Sequence, residues 1–241
     1  MKPMGIMILA IGLCLFAQVA QADWTVARRL TVTSEDSRTP AIAIDSSSNL
    51  HVVWRDDTPG NWEIYYKKGT DGGATWTTSE RLTVTSGESW DEPAIAIDSS
   101  GNLHVVWYDA TPGNYEIYYK KSADGGATWT SDQRLTVTSG DSRDPTIAVD
   151  SSDNLYVIWS DNTLSINQGP GGFWNWDLYY KKSADGGATW TPDERLTWTL
   201  GTSWWPDFAI DSSGNLHIVW SDNAWQPGYE GEFEIYYKKG K

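Results

Sequence analysis

Ser122-Ala123-Asp124-Gly125-Gly126-Ala127-Thr128-Trp129 recurs as Ser183-Ala184-Asp185-Gly186-Gly187-Ala188-Thr189-Trp190, and in shorter form as Thr70-Asp71-Gly72-Gly73-Ala74-Thr75-Trp76. Each copy follows an apolar-aromatic run ending in Tyr-Tyr-Lys-Lys and precedes a stretch carrying Arg-Leu-Thr. Asp-Gly-Gly between two strand-like runs signals a tight hairpin, because Asp caps backbone amides and Gly accepts positive φ.

Outward from this phrase the chain is a repeat. Arg29, Arg81, Arg134 and Arg195 each open an Arg-Leu-Thr segment, at intervals of 52, 53 and 61 residues. Between them lie three short runs rich in β-branched and aromatic residues, bounded by Gly, Asn, Asp or Pro. Runs of this kind read as strands. Apolar residues occupy both faces of the first two strands, as in Ala41-Ile42-Ala43-Ile44 and Leu50-His51-Val52-Val53-Trp54. A sheet wetted on one side would alternate apolar with polar, so each sheet here needs neighbours on both sides.

The class is therefore all-β, and four strands per unit of this length predict a four-bladed β-propeller of antiparallel blades. The expected blades span about 40–85, 93–138, 145–199 and 206–240. The last lacks both the Asp-Gly-Gly phrase and an Arg-Leu-Thr strand, whereas Trp24 to Thr33 matches the missing segment. The N-terminal strand is expected to complete the fourth blade and close the ring in a monomer. The rival is an oligomer in which that strand completes a neighbour's blade.

The repeated phrase resembles the Asp-box, or BNR, repeat of sialidases and related β-propellers. In that resemblance Asp71, Gly73, Trp76, Asp124, Gly126, Trp129, Asp185, Gly187 and Trp190 are structural. The resemblance also implies a sialidase-type site: arginines on a substrate carboxylate, a Tyr nucleophile paired with Glu, and an Asp acid/base. Arg38 and Arg143, each two residues before a proline, are similar to the family's first arginine. Arg55, with Tyr229 and Glu230, completes the candidate catalytic set, and Asp56 or Asp57 is the candidate acid. The family's six-bladed length and its Phe/Tyr-Arg-Ile-Pro context are absent.

Residues 1–22 combine Lys2, an apolar stretch and Ala20-Gln21-Ala22, the pattern of a secretory signal peptide. The expected mature domain is 23–241, secreted to the periplasm or outside the cell, with no membrane insertion after cleavage. Cys14 is the single cysteine, so the domain has no disulfide or cysteine-based zinc site. A formal net charge of −14 argues against nucleic acid, whose binding draws on basic contacts. No cofactor and no metal are expected. His51, His104 and His217 share one strand slot with Tyr156, a packing pattern rather than a ligand set.

Comparison among the repeats separates shared from unique residues. Of the sixteen tryptophans, those ending each second strand or following each Asp-box are architectural, as is the Trp62, Tyr115, Trp176 and Phe233 slot. The repeated Asp56, Asp109, Asp161 and Asp222 read as turn caps, and the Lys-Lys pairs as a solvated edge. Topology gathers the unique residues on the face opposite the Asp-boxes, where Arg38, Trp90, Arg143 and Trp204 occupy one slot. The expected ligand-binding residues are Arg38, Trp90, Arg143, Trp174, Trp204, Trp205, Trp225 and Tyr229. Exposed indoles stack on sugar rings while polar groups bond hydroxyls, so the first expectation is a lectin-like binding module. A sialidase-type hydrolase and a protein-interaction platform are the alternatives, the partner being a glycan or a protein.

Overall fold

The computed structural model describes residues 24–87, 89–164, 175–199, 201–223 and 232–241, and the backbone alone of Trp90 and Asp91. Residues up to Val32 and residues from Thr33 onward form two separate units. In the first, Trp24 to Val32 lies in no strand. Its Arg29 Nε donates to the carbonyl of Thr31 at 2.6 Å.

The second unit holds sixteen strands and no α-helix among the described residues. Repeat 1 contains β1 (Ser37–Ile44), β2 (Leu50–Asp56), β3 (Glu63–Thr70), β4 (Thr75–Trp76) and β5 (Glu80–Arg81). Repeat 2 contains β6 (Ser89–Ile97), β7 (Leu103–Asp109), β8 (Glu116–Ser122) and β9 (Gln133–Arg134). Repeat 3 contains β10 (Ser142–Val149), β11 (Leu155–Asp161), β12 (Asp177–Ser183) and β13 (Glu194–Arg195). Repeat 4 contains β14 (Ser203–Ile210), β15 (Leu216–Asp222) and β16 (Glu234–Gly240). Each repeat is one antiparallel sheet in chain order.

Among the described residues the fourth sheet has three strands, and Trp24 to Val32 is assigned to no ladder. A strand needs a partner ladder to satisfy its amides and carbonyls. What the segment does keep is the Arg-Leu-Thr geometry. The Arg29–Thr31 bond is the same one that Arg81, Arg134 and Arg195 make to Thr83, Thr136 and Thr197 at 2.7–2.8 Å.

In the other sheets this motif is a clip for the outermost strand. Arg81, Arg134 and Arg195 pair with the buried carboxylates Glu63, Glu116 and Asp177 at 2.6, 2.7 and 2.5 Å. The threonine hydroxyls accept from the amides of Ile64, Ile117 and Leu178 at 2.8–2.9 Å. Two-residue ladders persist because these side-chain bonds replace backbone ones. At the other end of each sheet, a buried Asp ties the first two strands. Asp56, Asp109, Asp161 and Asp222 accept from Ser37, Ser89, Ser142 and Ser203 at 2.6–2.8 Å. Asp56, Asp109 and Asp161 also cap the following turn through the amides of Thr58, Thr111 and Thr163.

The core lies between sheets. Val53, Ile64 and Tyr66 of repeat 1 pack on Leu103, Val105 and Trp107 of repeat 2. Val106, Ile117 and Tyr119 pack on Leu155, Val157 and Trp159 of repeat 3. Ile158 and Leu178 pack on Leu216, Ile218 and Trp220 of repeat 4. Apolar patterning on both strand faces has this origin.

The Lys-Lys pairs are not a solvated edge, and that expectation is corrected. Lys120 donates to the Leu82 carbonyl of the preceding repeat and pairs with Asp132 at 2.8 Å. Lys181 and Lys238 reach back likewise to Leu135 and Leu196. The second lysines reach forward: Lys68 to Gly125 at 3.3 Å, and Lys121 to Gly186 at 3.2 Å. Both carbonyls belong to the Asp-box of the next repeat. An ammonium satisfies a buried carbonyl and keeps its own stem packed.

Tyr66 and Tyr119 complete the first two joints. Their phenol oxygens stand 3.3 Å from Gly125 O and Gly186 O, and their rings meet Trp129 and Trp190 edge-on. Each phenol is also 2.8 Å from a histidine Nδ1, on His51 or His104. The Nε2 atoms face Asp45 and Asp98 at 3.3 and 3.2 Å. A carboxylate only accepts, so Nε2–H donates to it and Nδ1 accepts from the phenol.

The Asp-boxes are not identical in conformation. In repeats 2 and 3, Ser122 and Ser183 hydroxyls donate to Asp124 and Asp185 at 2.8 Å and accept from Gly126 and Gly187 amides at 2.9 Å. Repeat 1 has Gly69 at this place, and Asp71 adopts φ 53° in a 3-10 turn. Without the hydroxyl bridge the loop relaxes.

Two outcomes follow from these joints. Gly126 has φ 92°, and a Cβ there would lie 2.0 Å from the Tyr66 phenol oxygen. Gly101, at φ 81°, has open space. Gly101→Ala is expected to cost about 1 kcal/mol from backbone strain alone. Gly126→Ala should cost about 2–4 kcal/mol once overpacking is added. Equal losses in urea unfolding would reduce the box to a turn device.

The second outcome concerns pH. Burial holds His51 and His104 below the ordinary imidazole value, against the pull of their aspartates. The unfolded chain therefore binds protons near pH 6.5 that the folded chain refuses, and stability falls as pH drops through that value. The melting temperature should decline from neutral pH to about 5.5, and His51→Gln with His104→Gln should flatten that decline. An unchanged slope in the double variant would assign the dependence elsewhere.

Candidate functional site

At the end of the sheets opposite the Asp-boxes, the first strand of every repeat breaks register. The break follows Arg38, Trp90, Arg143 and Trp204, which pair with Arg55, Tyr108, Ser160 and Ser221 on the second strands. Those four residues thus occupy one structural slot. In each bulge the residue before a proline has positive φ: Thr39 48°, Glu92 60°, Asp144 54° and Trp205 53°. A bulky side chain such as Trp is a genuine outlier there, and such strain persists only where surrounding structure fixes it. Bulges of this kind re-aim side chains next to sites.

The bulges line an open cleft of about 300 Å³ across repeats 2, 3 and 4. Its walls include Glu92, Asp144, Trp205 and Asp207, with the prolines beside them, and no basic residue. The three carboxylates were missed in the sequence. Glu92 and Asp144 could have been found from the recurring X-Pro step in the first strand, where each stands immediately before a proline; Asp207, which follows Pro206, has no such signal.

Beside the cleft runs a belt of aromatic rings. Trp62, Tyr115, Trp176 and Phe233 precede each third strand, and Arg38, Arg143 and Trp204 pack among them. The Arg38 and Arg55 guanidiniums lie 5.6 and 4.2 Å from the Trp62 ring. Arg143 stands 4.3 Å from Tyr115 and 5.3 Å from Trp176, bridging repeats 2 and 3. Trp204 meets Trp176 edge-on at 5.8 Å and stacks on Phe233 at 6.3 Å. Trp205 tilts against Trp204 at 5.4 Å and also lines the cleft. The ring slot assigned to architecture is therefore also the platform on which the unique residues sit.

The arginines are already engaged. Arg38 bonds Asp36, and Arg143 pairs with Asp141 at 2.7 Å. Arg38 and Arg55 converge on Trp62, while Arg143 belongs to the Tyr115–Trp176 platform. Trp174, Trp225, Tyr229 and Glu230 lie outside the described residues, as does the side chain of Trp90. Asp56, the candidate acid, has a lowered pKa: burial opposes the shift, but bonds from Thr58 and Ser37 outweigh it. It is thus held as a carboxylate in a structural bond. Among the described residues no group of three or more His, Cys, Asp or Glu side chains is placed to hold a metal ion.

No protein-family model and no curated protein matches this chain. Solved structures do. An α-L-arabinanase of Penicillium chrysogenum, complexed with arabinobiose, aligns with a TM-score of 0.63 at 16% identity, covering 85% of this chain. An α-L-arabinofuranosidase of Fusarium graminearum, in complex with an iminosugar inhibitor, aligns with a TM-score of 0.66 at 14% identity, again over 85% of this chain. A Hadza microbial sialidase aligns with a TM-score of 0.63 at 15% identity over 84% of this chain and 44% of its own length. The chain spans 62% of the arabinanase and of the arabinofuranosidase. At such identity the likeness carries the fold alone: this chain is built like part of the β-propeller glycoside hydrolases it is similar to.

Proposed function

We propose that the four sheets are blades of a secreted β-propeller that binds carbohydrate at the junction of repeats 3 and 4. The observation that carries this reading is Trp205. It is half exposed, held at a strained φ, tilted against both Trp204 and Phe233, and set on the wall of a cleft that Glu92, Asp144 and Asp207 also line. Sugar rings offer apolar C–H faces and a rim of hydroxyls. An indole held rigidly covers the first at low entropic cost, and carboxylates accept hydrogen bonds from the second. The structural relatives that hold arabinobiose and an iminosugar make this ligand class the natural one to test. A shared fold does not carry a shared reaction.

A hydrolytic reading has one observation in its favour. Glu92 and Asp144 take equivalent bulge positions in neighbouring repeats and line one cleft, and glycoside hydrolysis uses a pair of carboxyl groups. Arabino-oligosaccharides, neutral β-glucans and sialyllactose should be offered to the protein by calorimetry, with product analysis of the same samples. Binding of a neutral oligosaccharide that weakens about tenfold or more in Trp205→Ala supports the module, since each tenfold is about 1.4 kcal/mol. Released sugar that disappears in both Glu92→Gln and Asp144→Asn would make it an enzyme. Absence of any carbohydrate binding, with a protein captured through the same face, would replace both readings.

A further inference from the structure

The two flanks of the four-sheet array are the two halves of an interface that occurs complete inside it. At the internal joints one half is Val53, Ile64 and Tyr66, or Val106, Ile117 and Tyr119, all essentially without solvent contact. Their counterparts in repeat 4 are Val219, Ile235 and Tyr237, which are 40, 75 and 59% exposed. The other half includes Ile95 and Ile97 of repeat 2, packed in the core. Their counterparts in repeat 1, Ile42 and Ile44, are 59 and 62% exposed.

The polar fittings are divided in the same way. Lys239 stands where Lys68 and Lys121 stand, but half exposed, and lies 4.0 Å from Asp211 of its own repeat. Tyr237 keeps its 2.9 Å contact with His217, as the internal tyrosines do with their histidines. The Asp-box at 71–76 is the receptor that would take such a Tyr-Lys pair. Where the internal box glycine Gly126 abuts a tyrosine of the preceding repeat, Gly73 faces Leu50 of its own sheet.

Within one molecule the first strands of successive repeats touch, β1 with β6, β6 with β10, and β10 with β14. No contact of that extent joins β14 back to β1. Among the described strands, then, the two flanks do not close on each other. We propose that the repeat 4 flank of one molecule docks head to tail on the repeat 1 flank of a second copy of this chain. Val219, Ile235 and Tyr237 would cover Ile42 and Ile44 there, with Lys239 on its first Asp-box. Because the two surfaces differ, the contact is heterologous: it closes a ring if the rotation allows and otherwise extends.

Sedimentation velocity with the purified full chain reads this directly. The wild type should show a mass above one chain that rises with concentration to at least double. Ile44→Asp and Ile235→Asp, both at exposed positions, should each remain folded by circular dichroism and sediment as one chain. Mixed in equal amounts, they should form a species of two chains, because each retains the half that the other lacks. A wild type that stays at one chain throughout would overturn the proposal, leaving closure within the chain or an open array. A mixture that stays at one chain while both variants are folded would overturn the head-to-tail pairing.

Discussion

A sheet that is apolar on both faces has no stable existence alone, and every other feature of this molecule answers that constraint. Burial between repeats supplies the main favourable energy, at about 25 cal/mol per Å² of apolar surface removed from water. Burial is not directional, however, and would tolerate many sliding arrangements of two flat faces. The polar ties select one. Repeats 2 and 3 send a lysine back to the Arg-Leu-Thr carbonyl of the repeat before, and repeats 1 and 2 send a Tyr-Lys pair forward to the Asp-Gly-Gly turn of the repeat after. Each tie contributes a fraction of the joint's strength, on the order of 1 kcal/mol net. Their geometry fixes the spacing and angle from one sheet to the next.

The repeat, the strands and the two-sided burial were legible in the sequence because they are local patterns or periodicities. The Asp-Gly-Gly turn between the third strand and the Arg-Leu-Thr strand was legible for the same reason. The lysines were not. In one dimension a Lys-Lys pair at a strand end has the signature of a solvated edge; the acceptors of Lys120 and Lys181 are backbone carbonyls in another repeat, which no residue identity reveals. The loss of the Ser bridge in repeat 1 was visible as Gly69, but its consequence depends on Ser122 Oγ serving two partners at once.

The repeat comparison separated shared from unique residues well and assigned roles less well. Trp62, Tyr115, Trp176 and Phe233 recur, so they belong to what every repeat needs. They also form the surface on which the unique residues act, and recurrence is silent about that. The acidic cleft escaped for a related reason. Glu92 and Asp144 look like ordinary loop acids until the bulges bring them to the lining of one cleft beside their prolines.

The slot that alternates Arg and Trp then explains why one junction stands apart. An arginine in this position covers the neighbouring ring with its guanidinium, a contact that also gains from cation–π attraction. Arg38 and Arg55 cover Trp62 in this way, and Arg143 covers Tyr115. A tryptophan in the same position does the opposite: Trp204 extends the ring surface from Trp176 to Phe233 and supports Trp205. One scaffold thus presents closed platforms at two positions and an open one at the third-to-fourth junction. Aromatic surface open to solvent costs free energy in the free protein, and the strained φ of Trp205 adds to that cost. On the proposed reading, a ligand with a matching apolar face would cover these rings and recover the first of those costs, at the junction where Trp204 stands in the slot that Arg143 fills one repeat earlier.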